Sequence, residues 1–98
     1  MVDVVRHEAS ALPKTVEEAI ALLVRRLSDE DKSLVRSLPE DELIWRLHFT
    51  LGQTIRNDFE LWDENTDLLR SCGSESMHAD NASSIIIRAL WRRLRDTR

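Results

Sequence analysis

The sequence is poor in the residues that form turns, crosslinks and membrane spans. Its 98 residues include two glycines, two prolines, one cysteine and no tyrosine. So few glycines and prolines leave little material for a turn-rich β fold. The single cysteine, Cys72, excludes an intramolecular disulfide and fits a reducing compartment. No apolar run reaches signal-peptide length or approaches the ~20 residues that span a bilayer. We therefore expect a cytoplasmic protein that does not enter a membrane.

The composition is that of one small globular domain. Apolar residues make up 42% of the chain and charged residues 33%, which argues against wholesale disorder. The net charge is −4, but residues 88–98 carry five arginines against one aspartate, whereas the rest of the chain is strongly acidic. A basic patch of Arg88, Arg92, Arg93 and Arg95 would suit nucleic acid or an acidic partner. Nucleic acid is not favoured, because cations also stabilise a helix C-terminus and the acidic remainder of the chain would repel phosphates.

Capping signals predict two helices in the first part of the domain. Residues 1–12 lack a clear period and are expected to form a loose arm before a single helical domain over residues 13–98. Thr15 with Glu18 is a capping box, in which Glu18 reaches back to the cap's own amide. A helix with one apolar face should follow to about Leu27. Ser28 caps a second helix, and Pro39 forces Leu38 out of helical geometry before starting the next one.

The third and last helices are predicted to be the longest, over about residues 40–57 and 80–95. In the third helix, Gly52 lowers helix stability by about 1 kcal/mol relative to alanine. Such a loss is usually tolerated where another helix approaches closely, so we expect a helix crossing there. A short helix capped by Asn65 or Thr66 should end at Gly73. The apolar face of the last helix is broad, so this helix contacts neighbours on two sides or faces a second subunit. The predicted fold is all-α, a compact bundle of four to five helices.

Four sequence motifs in the chain carry a resemblance to a known protein family. They are Thr-Val-Glu-Glu-Ala at 15–19, Leu-His-Phe-x-Leu-Gly at 47–52, Ile-Arg-Asn-x-Phe-x-Leu-Trp at 55–62 and Asp-x-x-Ser-x-x-Ile-Ile-x-x-Leu-Trp at 80–91. Across roughly residues 13–95 the chain resembles a family of small bacterial proteins known only as a domain of unknown function. The resemblance implies a bacterial source and a helical fold, but no activity. Family members tend to have glycine where this chain has Glu60, so a positive φ there would strain or reshape the turn.

The segment after Gly52 holds the candidate binding residues. Arg56 could clamp a carboxylate or phosphate, with Asn57 as donor and acceptor and aromatic rings excluding water. The candidates for such an anion or nucleotide site are His48, Arg56, Asn57, Asp58 and Trp62. The alternative, which we favour, is structural: Arg56 pairs with Asp63 or Asp80, Asn57 ends the helix, and Phe59 and Trp62 fill the core.

Catalysis and metal binding have weaker signals. Arg56-Asn57 is similar to an element of helical ribonuclease toxins, but no histidine follows at the required spacing, and the next one is His78. A nuclease would therefore lack its general base. Cys72, His78, Asp80 and His48 do not have the paired spacing of a zinc site. We expect no metal, no cofactor and no catalytic residue.

The leading hypothesis is a non-enzymatic interaction module that self-associates or binds a protein partner. Tryptophan and phenylalanine often anchor interfaces. Ile87 and Trp91 on the last helix are the first candidates for that face, and Trp45 and Phe49 are the next. An anion or nucleic-acid binder is the second hypothesis, and a degenerate ribonuclease is a remote third.

Overall fold

The computed structural model describes residues 12–62 and 65–96, and within these ranges the chain forms six helices and no strand. They are α1 (Val16–Arg26), α2 (Asp29–Ser37), α3 (Glu40–Leu47), α4 (Leu51–Asp58), α5 (Thr66–Cys72) and α6 (Ala79–Asp96). The all-α class is confirmed, whereas the predicted count of four to five helices was wrong. None of these helices is long and apolar enough to cross a membrane. Apart from Leu12, the predicted arm lies outside the described residues.

The first two helices begin where the sequence signals place them. The Thr15 hydroxyl accepts a hydrogen bond from the amide of Glu18 at 3.1 Å. The Glu18 carboxylate accepts from the amide of Lys14 at 2.8 Å, one residue earlier than the capping box predicts. Ser28 caps α2 by accepting from Asp31. Leu38 is extended (φ −77°, ψ 143°), because the following proline excludes the helical conformation. The chain therefore turns twice within a few residues and starts α3.

The predicted helix over residues 40–57 is two helices, α3 and α4, separated by residues 48–50. In an unbroken helix the His48 carbonyl would accept from the amide four residues on. It instead accepts from the Arg56 guanidinium, with 3.1 Å between Nη2 and the oxygen. The Thr50 amide correspondingly bonds to Leu47, three residues back, at 3.2 Å. The prediction failed because a side chain competes with the helix for a backbone acceptor, so only α6 is long.

Helix α6 is the centre of the bundle, and all five other helices pack against it. Its buried residues are Ala79, Ala82, Ser83, Ile86, Ile87, Leu90 and Leu94. Ile87 is 1% exposed and lies in the core. The breadth of the apolar face therefore reflects packing on several sides of the helix within the chain. Ile87 was wrong as a candidate for an exposed subunit interface.

Candidate functional site

Arg56 is the centre of the segment that the sequence singled out, and it is 4% exposed. Its Nη1 donates to the Ser83 hydroxyl at 3.0 Å, and its Nη2 donates to the His48 carbonyl. Its Nε lies 3.4 Å from Asp80 Oδ1, which is an ionic contact without hydrogen-bond alignment. We call Arg56, His48, Asp80 and Ser83 the arginine brace. It joins the end of α3, the helix α4 and the first turns of α6.

Gly52 makes room for the arginine brace. A Cβ at this position would lie 3.0 Å from Arg56 Nη1, 3.3 Å from the Leu47 carbonyl oxygen and 3.6 Å from Ile87 Cδ1. The sequence predicted the close approach of another helix, but the two tightest contacts come from Arg56 of the same helix and the Leu47 carbonyl, whereas Ile87 of α6 lies at an ordinary contact distance. Sequence analysis missed this pairing. The spacing was the available signal, because a residue four positions after Gly52 lies on the same helical face.

The turn after α4 is a Schellman motif built on a residue other than glycine. The Leu61 amide donates to the Arg56 carbonyl at 2.9 Å, and the Glu60 amide donates to the Asn57 carbonyl at 3.3 Å. Glu60 has φ 55°, the only positive φ of a non-glycine residue in the described ranges. The Glu60 position therefore has the backbone conformation for which glycine is the usual choice. Residue 60, rather than Asn57, is the left-handed residue that ends the helix.

Trp62 lies at the surface beside the arginine brace. Its side chain is 52% exposed, so the prediction that it fills the core was wrong, whereas Phe59 is 1% exposed and does so. The Trp62 Nε1 donates to Asn57 Oδ1 at 3.0 Å. The Trp62 ring centroid is 5.9 Å from the Arg56 Cζ. The Trp62 ring therefore lies beside the guanidinium and is bonded to Asn57, and Asp58 is the exposed last residue of α4.

His78 approaches this cluster from the start of α6. Its ring lies edge-on to Trp62, with 6.3 Å between centroids, and its Nδ1 accepts from the Asp80 amide at 3.1 Å. The Nδ1 atom is therefore engaged with the backbone at the start of α6. Arg56 and His78 therefore both contact Asp80, with 3.4 Å from Arg56 Nε and 3.9 Å from His78 Nδ1 to the carboxylate. These contacts favour a structural role for both side chains.

The other residues that could serve as a nucleophile or as metal ligands do not form a reactive site among the described residues. Burial raises the pKa of the Cys72 thiol to about 11, so at neutral pH it is protonated and a poor nucleophile. Within the described ranges no three His, Cys, Asp or Glu side chains are grouped so as to hold a metal ion.

A different region exposes large apolar side chains. Trp45 is 68% exposed near the end of α3, and Phe49 is 78% exposed in the break that follows it. The two residues are four apart, about one helical turn. The Arg46 Cζ lies 5.9 Å from the centroid of the Trp45 ring. The His48 and Phe49 rings meet edge-on, with 4.8 Å between their centroids. We call Trp45 and Phe49 the aromatic edge.

Trp91, the other candidate interface residue, is half-buried and already engaged. Its Nε1 donates to the Leu38 carbonyl at 2.9 Å, which fixes α6 to the end of α2. The Arg95 guanidinium lies over the Trp91 ring, with 4.7 Å between Cζ and the centroid. This tryptophan therefore serves packing within the chain, whereas Trp45 and Phe49 stay mostly exposed among the residues that the structure describes.

The arginines of the predicted basic patch do different things. Arg92 contacts Glu40, with 3.5 Å between Nη2 and Oε2, and Arg95 stacks on Trp91. Arg93 lines a groove on another side of α6, beside α1. The Nε of Arg88 is buried without a hydrogen-bond partner among the described residues. The four arginines therefore have different surroundings within the described residues.

Comparison with known proteins identifies a family but no characterised relative. Residues 12–94 match the family described as "Domain of unknown function (DUF6794)". The match spans most of the chain's 98 residues, so the chain belongs to this family. No curated protein and no solved structure matches it.

Proposed function

We propose that this member of the DUF6794 family is a non-enzymatic interaction module that self-associates through the aromatic edge. The observation that carries the proposal is the exposure of Trp45 and Phe49, 68% and 78%, in a chain with only five aromatic residues of the Trp and Phe types. Full burial of one side chain such as phenylalanine stabilises a protein by about 1.5–3 kcal/mol, and exposed rings do not contribute this free energy. A second copy would recover part of that free energy by covering them.

The charges along α3 support a second copy as the partner. Its first turn holds Glu40, Asp41 and Glu42, and its last turn holds Arg46. Two α3 helices that pack antiparallel about a two-fold axis place the acidic end of each beside Arg46 of the other. Their macrodipoles are then also antiparallel, which is the favourable arrangement. A closed dimer with this symmetry uses the same residues on both subunits.

The size of the aromatic edge sets the expected strength. Two exposed rings per copy can bury less surface than the roughly 800 Å² that each partner buries in a standard interface. The dimer should therefore be weak and reversible. This proposal needs no catalytic group, and it leaves the arginine brace as internal support for the surface beside it.

Sedimentation equilibrium tests the proposal. Wild-type chain is measured from about 10 µM to about 1 mM, a range that covers weak dissociation constants. We expect a monomer–dimer equilibrium that disappears in Trp45→Ala/Phe49→Ala. The matched control is Trp62→Ala, which removes another exposed tryptophan and should leave the equilibrium unchanged. A wild-type monomer throughout, or a dimer lost only in the Trp62 variant, would contradict the proposal.

We also infer a bacterial source and a cytosolic location. The resemblance to small bacterial proteins supports the first, and a chain with a single, reduced cysteine fits the second. Fractionation of cells that express the tagged chain tests the location.

A further inference from the structure

A groove lined by residues of α1, α5 and α6 contains no residue of the aromatic edge. It is open and has a volume of about 530 Å³. Its lining residues are Thr15, Val16, Glu17, Ile20, Ser71, Ala89 and Arg93. The apolar part of the lining is Val16, Ile20 and Ala89, and the charged part is Glu17 and Arg93. We call this feature the Ser71 groove.

We propose that the Ser71 groove is the docking site of residues 1–11 of the same chain. The described structure shows where that segment begins. The carbonyl of the buried Pro13 accepts from Asn65 Nδ2 at 3.0 Å, and the Val16 amide donates to the Ser71 hydroxyl at 2.9 Å. These bonds fix the chain at the edge of the groove, since Thr15 and Val16 are themselves lining residues. Residues 1–11 therefore join the domain beside the surface they would cover.

Length and composition of the segment match the groove. An extended residue spans about 3.3 Å, so a few residues suffice to cross it. Val2, Val4 and Val5 supply apolar side chains for the part lined by Val16, Ile20 and Ala89. Asp3 and Glu8 carry the charge that Arg93 attracts, and Arg6 carries the charge that Glu17 attracts.

Covalent attachment favours this occupant over a free partner. A short tether gives an effective concentration in the millimolar range. A second chain would have to reach that concentration in solution to compete. The chain's own segment is therefore the occupant to which the inference commits, and it does not depend on the proposed dimer.

Amide resonances of the full-length chain test the inference. Val4→Asp/Val5→Asp should shift the resonances of Ile20, Ala89 and Arg93, because charged side chains no longer fit the apolar lining. The matched control, Ala9→Asp/Ala11→Asp, adds the same charge to the same segment outside the valine cluster and should shift them much less. Equal shifts in both variants, or none in either, would overturn the inference.

Crosslinking separates the chain's own segment from that of a second copy. In a Cys72→Ala background, Val5→Cys with Ala89→Cys should form an intramolecular disulfide under mild oxidation. Val5→Cys with Gln53→Cys, whose second site is exposed on α4 outside the groove, should remain reduced. A disulfide that joins two chains, or one formed equally with residue 53, would contradict docking within one chain.

Discussion

The arginine brace and the aromatic edge meet at the break between α3 and α4, and they reverse the usual distribution of polarity. In the brace, a charged guanidinium is 4% exposed and bonded to partners from two other parts of the chain. In the edge, two of the largest apolar side chains are more than two-thirds exposed. His48 belongs to both regions, since its carbonyl serves Arg56 and its ring contacts Phe49. The comparison favours a stabilising role for the brace, whereas the rings of the edge stay exposed among the described residues.

Removing the guanidinium should have the largest effect on stability. We expect Arg56→Ala to lower the free energy of unfolding by about 3 kcal/mol, because it leaves buried acceptors without donors and creates a cavity. The ionic contact itself adds little, since the Asp80 side chain is 45% exposed. Denaturant unfolding measures the change. The control is Arg46→Ala, which breaks an exposed pair at 3.2 Å and should cost about 0.5 kcal/mol or less. If both variants lose the same free energy of unfolding, the buried arginine stabilises the fold no more than an exposed one, and the account of the brace is wrong.

Filling the space beside the guanidinium should have a smaller effect. We expect Gly52→Ala to destabilise the chain by about 1–2 kcal/mol, although alanine is the better helix former, because the new Cβ forces Arg56 or the Leu47 carbonyl to move. The double variant with Arg56→Ala tests the cause. The cost of the alanine should shrink when the guanidinium is already gone, and an additive double-mutant cycle would show that Gly52 serves something else.

The turn after the brace should give the smallest change, and a favourable one. Glu60→Gly relieves a positive φ that a Cβ disfavours, so we expect a gain of about 0.5–1 kcal/mol in the free energy of unfolding. Glu60→Ala keeps the Cβ and should show no such gain. Thermal unfolding of both variants measures the difference. If alanine stabilises as much as glycine, the side chain of Glu60 rather than its backbone conformation is unfavourable.

Local signals predicted the starts of α1, α2 and α5 and the end of α5. Thr15, Ser28 and Asn65 each cap the helix that follows, because a cap depends on hydrogen bonds across three residues. Gly73, with φ 154°, follows the last residue of α5 as expected. The family resemblance also pointed to the left-handed position at residue 60, where φ is 55°.

Features that depend on distant contacts could not be predicted in the same way. The break after α3 arises because Arg56 takes the His48 carbonyl, a contact that periodicity does not reveal. Asp80 was one of two acids proposed for Arg56, and only the fold brings it into reach. Ile87 and Trp45 are both large and apolar in sequence. Helix packing buries the first, at 1% exposure, and leaves the second at 68%.

The most direct test of the account is a dilution series of the wild-type chain followed by amide chemical shifts, from about 1 mM to about 20 µM, which spans weak dissociation. We predict concentration-dependent shifts in residues 41–50 around the aromatic edge and constant shifts in residues 56–62 of the brace and its turn. Shifts confined to residues 56–62, or no change anywhere, would contradict the division of the molecule into a supporting brace and an associating edge.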